Sequence, residues 1–516
     1  FANFMAAKII TPSFPEIDHD LKFLLGHYPS AYAIDRTEGT HAIAQNLDNL
    51  YDAGSLYGSI IYQKAPIVMR KLEDEMGEET LRTGLREYLS THKFGNASWK
   101  ELIDILSEVS VKNLKRWNKS WVETPGMPIM VVNVRERNGK MDRLSLFQVN
   151  GESVIWPQDY LLEIGNDSLT ITRAVEFQER VHNLKDDSLL NPTFVFPNAK
   201  GNAYGYFKMG RSTKKHYFEH INTVEHDTYR AALWLSLYEN MLNLNIGPTN
   251  YLEALMKSLP LEKNPLIINY LNRSIETVYW KFLDDKQRLD YAARIESVLF
   301  NQALNASDDG VRSGFFKSFY RIVSTPEGLK LLEKIWKGEV DMNQFKLSES
   351  DQINMAYELS LKLNDDTYLL KQMDKLNNQD RVNKMKFVAP ALSPNRQKRD
   401  DFFKSLMDEK NRHTEDWVLT ALSYLHHPLR QYESIAYLDE SLLLLESIKS
   451  TGDIFFPKRW LDNTFKGHNS SEAADVVRQF LYRNHNYPLD LKNKILQSTD
   501  MLFRAERVFE QSAQDE

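Results

Sequence analysis

The most direct offer of metal chemistry in this sequence is a pair of histidines one helical turn apart. His216-Tyr217-Phe218-Glu219-His220 fits His-x-x-Glu-His, in which two imidazoles project from one face of a helix beside a carboxylate that can serve as base. A third ligand would come from Glu225 or His226, and such a centre would activate water for hydrolysis. A five-residue pattern also arises by chance in a long, charged chain, so the spacing alone does not make a site. None of the 13 histidines belongs to a His-Glu-x-x-His sequence. The chain has no cysteine, which excludes disulfides, thiolate zinc sites and a thiol nucleophile.

Other reactive residue types have bland readings on their own. Tyr57 and Tyr62 lie on an apolar segment and read as core tyrosines. Lys112, Lys115, Arg116 and Lys119 form a charged helix face of the solvated kind. His426-His427-Pro428 reads as a loop or helix end, because the residue before proline leaves the helical region. Thr451 to Pro457 is an aromatic-rich turn expected to pack between helices.

The elements that would carry these residues follow from periodicity. With 516 residues the chain is too long for one core and allows three or four domains. Hydrophobic residues at 42% and charged residues at 26% give a globular composition. A net charge of −7 supplies no basic footprint, so no nucleic-acid partner is expected. The longest aliphatic run, Leu442 to Leu445, is too short to span a bilayer. Residues 1–127 read as helix: Ser98 and Glu101 form a capping box, followed by a stripe of Leu102, Ile105, Leu106 and Val109, with a second stripe at Leu81, Leu85, Tyr88 and Leu89. After Pro125-Gly126-Met127-Pro128 the period changes. Short runs at Ile129 to Val134, Leu144 to Val149, Val154 to Trp156, Leu161 to Ile164 and Leu169 to Thr172 alternate with turn signals at Asn138-Gly139, Asn150-Gly151 and Gly165-Asn166-Asp167. They predict a small antiparallel β-sandwich over 128–212. From 213 to 516 amphipathic helices dominate, punctuated by prolines such as Pro260, Pro265, Pro326, Pro390 and Pro428, with a helix start at Thr325-Pro326-Glu327. Short helices in series fit a HEAT- or armadillo-like superhelix.

Four stretches in order resemble the aminopeptidase N type of zinc metallopeptidase. Phe1-Ala2-Asn3-Phe4-Met5 is similar to the end of the family's Asn-Glu-(Gly or Ser)-Phe-Ala pattern, whose Glu is the third zinc ligand. Asp35 to Ile43, through Thr40-His41-Ala42-Ile43, resembles a segment containing Thr/Ser-His-Pro-Ile, with Ala42 in place of proline. Leu56 to Arg70 resembles the Tyr-x-Lys-Gly segment and its following helix, with Tyr62 matched and Ala65 in place of glycine. Trp121 to Pro128, Ile155-Trp156-Pro157 and Gly201 to Phe207 resemble the end of the catalytic domain and the sandwich, and the region from Thr228 onward the C-terminal domain.

The resemblance implies a multidomain, mainly α architecture. Residues 1–127 would be the helical remainder of a thermolysin-like catalytic domain, 128–212 the sandwich, and 213–516 a helical superhelix that limits access to the active site. It implies removal of N-terminal residues from peptides by a zinc enzyme, with Tyr62 as the catalytic donor to the oxygen that becomes negative in the tetrahedral intermediate. A phenol suits that role because it donates while neutral. His41 would line the cleft or serve structure. The zinc ligands would lie upstream of Phe1, so zinc is expected in a full-length parent and none in this chain, which alone should be inactive. The implied partners are a peptide substrate and the missing N-terminal half, which would cover Phe4 and Met5, or else the first hundred residues would be disordered. The expected location is soluble, periplasmic or cytoplasmic. Two other readings stand beside this one: a helical-repeat peptide- or protein-binding module without catalysis, and an independent metalloprotease built on His216, Glu219 and His220.

Overall fold

The computed structural model of the chain describes residues 1–45, 57–137, 140–149, 154–166, 168–184, 192–343 and 345–515. Leu56, Asp167 and the turn pairs Asn138-Gly139 and Asn150-Gly151 lie outside the described residues. The chain divides into two compact units, Phe1–Gly247 and Pro248–Glu516.

The first unit opens with helices Ala2–Ile10, His19–Asp35, Ala65–Met76, Glu78–Thr91, Trp99–Val109 and Leu114–Trp121. Local chemistry sets their ends. Asp18 caps the second helix by accepting from the Leu21 N–H at 2.9 Å. Ser98 and Glu101 form the expected capping box, with the Ser98 N–H 2.6 Å from the Glu101 carboxylate. The buried face behind it is Leu102, Ile103 and Leu106, while Ile105 is half-buried. In the helix Glu78–Thr91 the buried residues are Leu81 and Gly84, and Leu89 is 63% exposed. These departures from the predicted stripes have one cause. The two helices meet at Gly84, where a Cβ would lie 2.5 Å from Leu106 Cδ2, so the contact centres there and turns Leu89 outward. Of the predicted charged face, Lys115, Arg116 and Lys119 are exposed, whereas Lys112 is half-buried and pairs with Glu176 at 2.6 Å.

Seven strands follow among the described residues: β1 Ile129–Arg137, β2 Lys140–Gln148, β3 Gln158–Gly165, β4 Thr170–Phe177, β5 Val181–Leu184, β6 Phe194–Phe196 and β7 Tyr206–Lys208. One sheet has the order β5-β2-β1-β7 and the other β4-β3-β6. Period-two alternation turns Tyr160, Leu162 and Ile164 of β3 inward, where they join Met130, Leu144, Leu146, Val175 and Phe177 in a shared core. The sandwich is mixed rather than wholly antiparallel, because β7 returns parallel to β1 with Ile129 opposite Tyr206. Val154 to Trp156, predicted as a strand, is irregular: the Trp156 N–H donates to the Gln148 side chain at 2.9 Å instead of to a ladder. Helices Arg211–His220 and Asp227–Leu242 complete this unit.

The second unit is helical throughout its described residues, and no described helix is long and apolar enough to cross a membrane. Thr325 caps its helix, with Pro326 in the first turn, by accepting from Gly328 N–H at 3.0 Å. Pro390 departs from the punctuating role and sits inside the helix Gln379–Leu392. Seven described helices touch one another in a row, each meeting the next across one or more intervening helices: Pro265–Thr277, Asp309–Ile322, Glu349–Leu363, Gln379–Leu392, Glu415–Leu425, Phe456–Phe465 and Leu489–Asp515. From Glu349–Leu363 onward, side chains such as Val388, Leu422, Trp460 and Leu502, with Val477 of the helix Ser471–Arg483, share one core. The final helix also touches the π-helical turn Val278–Phe282, so the row closes on itself, unlike an open stack whose repeats meet only their neighbours.

The closure is held by polar groups. Lys281, buried in that π turn, donates to the carbonyls of Phe465, at 3.0 Å, and His468. Asn469 Nδ2 donates to the Lys281 carbonyl at 3.2 Å, and the His426 and His468 rings meet at 3.0 Å. His426 ends the helix Glu415–Leu425 and His427 is extended before Pro428, as the proline rule requires. Gly467 sits against this helix end: a Cβ there would lie 1.7 Å from the His426 carbonyl oxygen. In the aromatic turn Phe456 packs inward, while Ile454 stays 45% exposed.

Two outcomes are expected for this clasp. Gly467→Ala forces backbone apart and should cost about 1–3 kcal/mol or more in urea unfolding. Burial pushes the Lys281 amine down to about 7, so between pH 7 and the ordinary lysine value of 10.5 the unfolded chain binds the extra proton. Stability from this group therefore rises with pH across that window and is lowest below it. Subtracting the Lys281→Met profile from that of the wild type should leave this positive slope; a flat difference contradicts it.

Candidate active-site segment

Tyr62 is positioned by a local irregularity. Residues Ile60–Lys64 form a π-helical turn in which the Ala65 N–H reaches back to the Ile60 carbonyl, before the chain continues as the helix Ala65–Met76 with Pro66 in its first turn. Ile60 and Lys64 point inward with no exposed surface, and Tyr62 points outward with 43% of its surface exposed. The apolar stretch had favoured a core tyrosine on periodicity alone, and the outward ring overturns that reading. Tyr57, assigned to the core, is also outward at 44% exposure, and its ring packs on that of Tyr62 at 5.8 Å between centroids.

The surroundings of Tyr62 are polar. Asn3 donates to the Tyr62 carbonyl at 3.3 Å. The neighbouring Gln63 carbonyl oxygen lies 2.7 Å from His27 Nδ1, and burial lowers the pKa of that imidazole. His41 Nδ1 lies 2.9 Å from the Ala42 carbonyl and 3.0 Å from the Gln45 side chain, contacts that shape its own loop.

Beneath Tyr62 lies a buried ion pair. Lys64 Nζ is 2.8 Å from Asp35 Oδ2, both side chains have zero exposure, and the same ammonium donates to the Gly126 carbonyl at 2.8 Å. Asp35 closes the helix His19–Asp35. Its carboxylate also accepts from the Thr40 hydroxyl at 2.9 Å, the Gly126 N–H at 3.1 Å and the Tyr204 hydroxyl at 3.0 Å. Burial first, and the Asp35 charge next, hold the Tyr204 phenol well above its usual range, so it stays protonated and donates. A second buried pair, Arg36 with Glu239 at 2.7 Å, ties the following residue to the helix Asp227–Leu242.

Sequence reasoning passed over Lys64 and Asp35 as functional supports, although both lie in the stretches it singled out. The available signal was that Lys64 fills the Lys position of the Tyr-x-Lys-Gly pattern, directly before the apolar Ala65-Pro66-Ile67-Val68-Met69. Its acceptors on Asp35 and Gly126 become neighbours only through the fold.

The His-x-x-Glu-His candidate lies on the helix Arg211–His220. His216 stacks face to face on Phe194 at 3.9 Å, and the His216 and His220 rings are 4.8 Å apart. Among the described residues no group of three or more His, Asp or Glu side chains is arranged to hold a metal ion, and this includes His216, Glu219 and His220. The described residues therefore do not fit a zinc ion.

The geometry can be set beside known proteins. Residues 1–121 match the Peptidase family M1 domain. The chain is similar to aminopeptidase N of Streptomyces lividans, 22% identical over 327 residues, covering 60% of this chain and 38% of that protein. It is similar to the tricorn protease-interacting factor F2 of Thermoplasma acidophilum, 30% identical over 132 residues, 26% of this chain and 17% of that protein. It is also 31% identical over 136 residues to the puromycin-sensitive aminopeptidase of Caenorhabditis elegans, 26% of this chain and 14% of that protein. The chain thus spans well under half the length of these relatives. Asp35, Tyr62 and Lys64 all lie within the stretch that matches the Peptidase family M1 domain, so what this part of the chain resembles is an M1 aminopeptidase-type family.

Proposed function

We propose that this chain is the C-terminal portion of a zinc-dependent aminopeptidase that removes N-terminal residues from peptides. The observation that carries the reading is the M1 match over residues 1–121 together with a tyrosine held outward within it, on a rigid and buried base. In this reading Tyr62 donates a hydrogen bond to the oxygen that becomes negative when the scissile carbonyl turns tetrahedral. A neutral phenol gives up no proton in doing so, and its stabilisation is realised in the transition state. The division into a catalytic remainder over 1–127, a sandwich over 128–212 and a helical domain over 213–516 belongs to the same proposal. The helical part would limit substrates to short peptides.

The described residues offer no ligand set for the zinc that the family implies, so the chemistry argued for this chain is that of Tyr62 alone. The greater length of the relatives supports ligands held elsewhere in the complete gene product. Exposed apolar side chains at Phe1, Ile9, Ile10 and Phe14 support a partner surface on the first helix and the turn after it, whereas Phe4, expected on that surface, is buried.

Hydrolysis of an aminoacyl-p-nitroanilide tests the proposal. The complete gene product should turn over, and Tyr62→Phe should lower kcat by about 10²–10³-fold with little change in KM. The chain of 516 residues alone should show no turnover. Robust turnover by this chain alone, or unchanged kcat in Tyr62→Phe, contradicts the proposal. A complete product that binds peptides without cleaving them favours the binding-module reading.

A further inference from the structure

We propose that the buried Asp35–Lys64 pair is the positioning device of the Tyr62 phenol, an inference that rests on the catalytic reading of Tyr62. Lys64 and Tyr62 share one π-helical turn, so the backbone that aims the phenol is the backbone that Lys64 anchors. The anchor is bonded twice. Its ammonium holds the Asp35 carboxylate and the Gly126 carbonyl, each at 2.8 Å, in a place with no solvent access. Through Asp35 the turn is fixed to three further points: the loop at Thr40, the link at Gly126 and the ring of Tyr204.

A fully buried pair is an expensive way to secure a turn, because both ions lose their hydration. An apolar residue in place of Lys64 would fill the same space without that cost. What the pair adds is direction: charge-assisted hydrogen bonds fix angle as well as distance. A donor in an oxyanion site has to be held within roughly 0.5 Å and 10–20° of its working geometry. Tyr62 itself is 43% exposed and the one ring packed on it, Tyr57, is 44% exposed, so packing between two outward rings supplies little of that restraint. The restraint comes from below, through Lys64 and, at the Tyr62 carbonyl, through Asn3. Lys64 and Asp35 are thus positioning residues: they act on the reaction only through Tyr62.

A double-mutant cycle in the complete gene product separates this from a merely structural role. Lys64→Met and Asp35→Asn are each made alone and combined with Tyr62→Phe, and thermal melting identifies the folded variants. On the wild-type background Lys64→Met should lower kcat by about 10²-fold, the scale of a small misplacement of a catalytic group, with KM changed less than about threefold. On the Tyr62→Phe background the same change should have almost no further effect on kcat, since its route of action is already gone. Asp35→Asn keeps the side-chain shape and should follow the same pattern, which decides the matter should Lys64→Met fail to fold. Equal loss on both backgrounds overturns the inference, as does unchanged kcat for folded Lys64 and Asp35 variants while Tyr62→Phe is impaired; either outcome leaves the reading of Tyr62 intact. If Tyr62→Phe itself keeps full turnover, that reading fails and this inference falls with it.

Discussion

The contact on which the first unit depends is the bond between the Lys64 ammonium and the Asp35 carboxylate, made where no water reaches either ion. Two unpaired charges in such a place would cost several kcal/mol each, so the pair survives only because each ion is surrounded by further partners. Gly126 serves both, its carbonyl accepting from Lys64 and its N–H donating to Asp35. Tyr204 and Thr40 complete the carboxylate's acceptor sites. The participants come from a helix end, a π-helical turn, the link before β1 and the segment before β7. One electrostatic knot therefore sets the register of the helical part against the sandwich and aims the residue at its surface.

The second unit also places a buried lysine in a π-helical turn. This residue, Lys281, also donates to backbone carbonyls, those of Phe465 and His468. Carbonyl dipoles compensate an ammonium less than a carboxylate does, and burial pushes this amine down to about 7. A neutral amine still donates hydrogen bonds, so the closure of the helical row does not require the charge. In each unit a π turn carries a buried lysine that makes directional hydrogen bonds.

Much of this architecture is legible in the residues. The Ser98–Glu101 box, the Thr325-Pro326 start and the change of period after Pro128 all follow from local hydrogen bonding and side-chain alternation, and all appear in the fold. Where reading failed, non-local contacts decided. Leu89 is turned outward by the meeting of two helices at Gly84. Strands of three or four residues, such as Phe194–Phe196 and Val181–Leu184, are too short for alternation to declare them. The parallel return of β7 depends on a pairing distant in sequence. Tyr62 was singled out through its family pattern, Tyr57 was assigned to the core but lies outward, and Lys64 was passed over. Periodicity reports which face a residue occupies in a regular helix; the π turn at Ile60–Lys64 and the aromatic packing on Tyr62 are exceptions to regularity. Both exceptions lie within residues 1–121, the stretch that matches the Peptidase family M1 domain.

The claim at the centre of this account is that the Tyr62 hydroxyl faces the oxygen that becomes negative during peptide cleavage. A crystal structure of the complete gene product bound to a phosphinic dipeptide, a mimic of the tetrahedral intermediate, tests it most directly. The account predicts the Tyr62 hydroxyl within about 2.6–3.2 Å of a phosphinyl oxygen, with the Lys64–Asp35 pair intact below it. A phosphinyl oxygen with other donors, and Tyr62 turned away from it, would contradict the account.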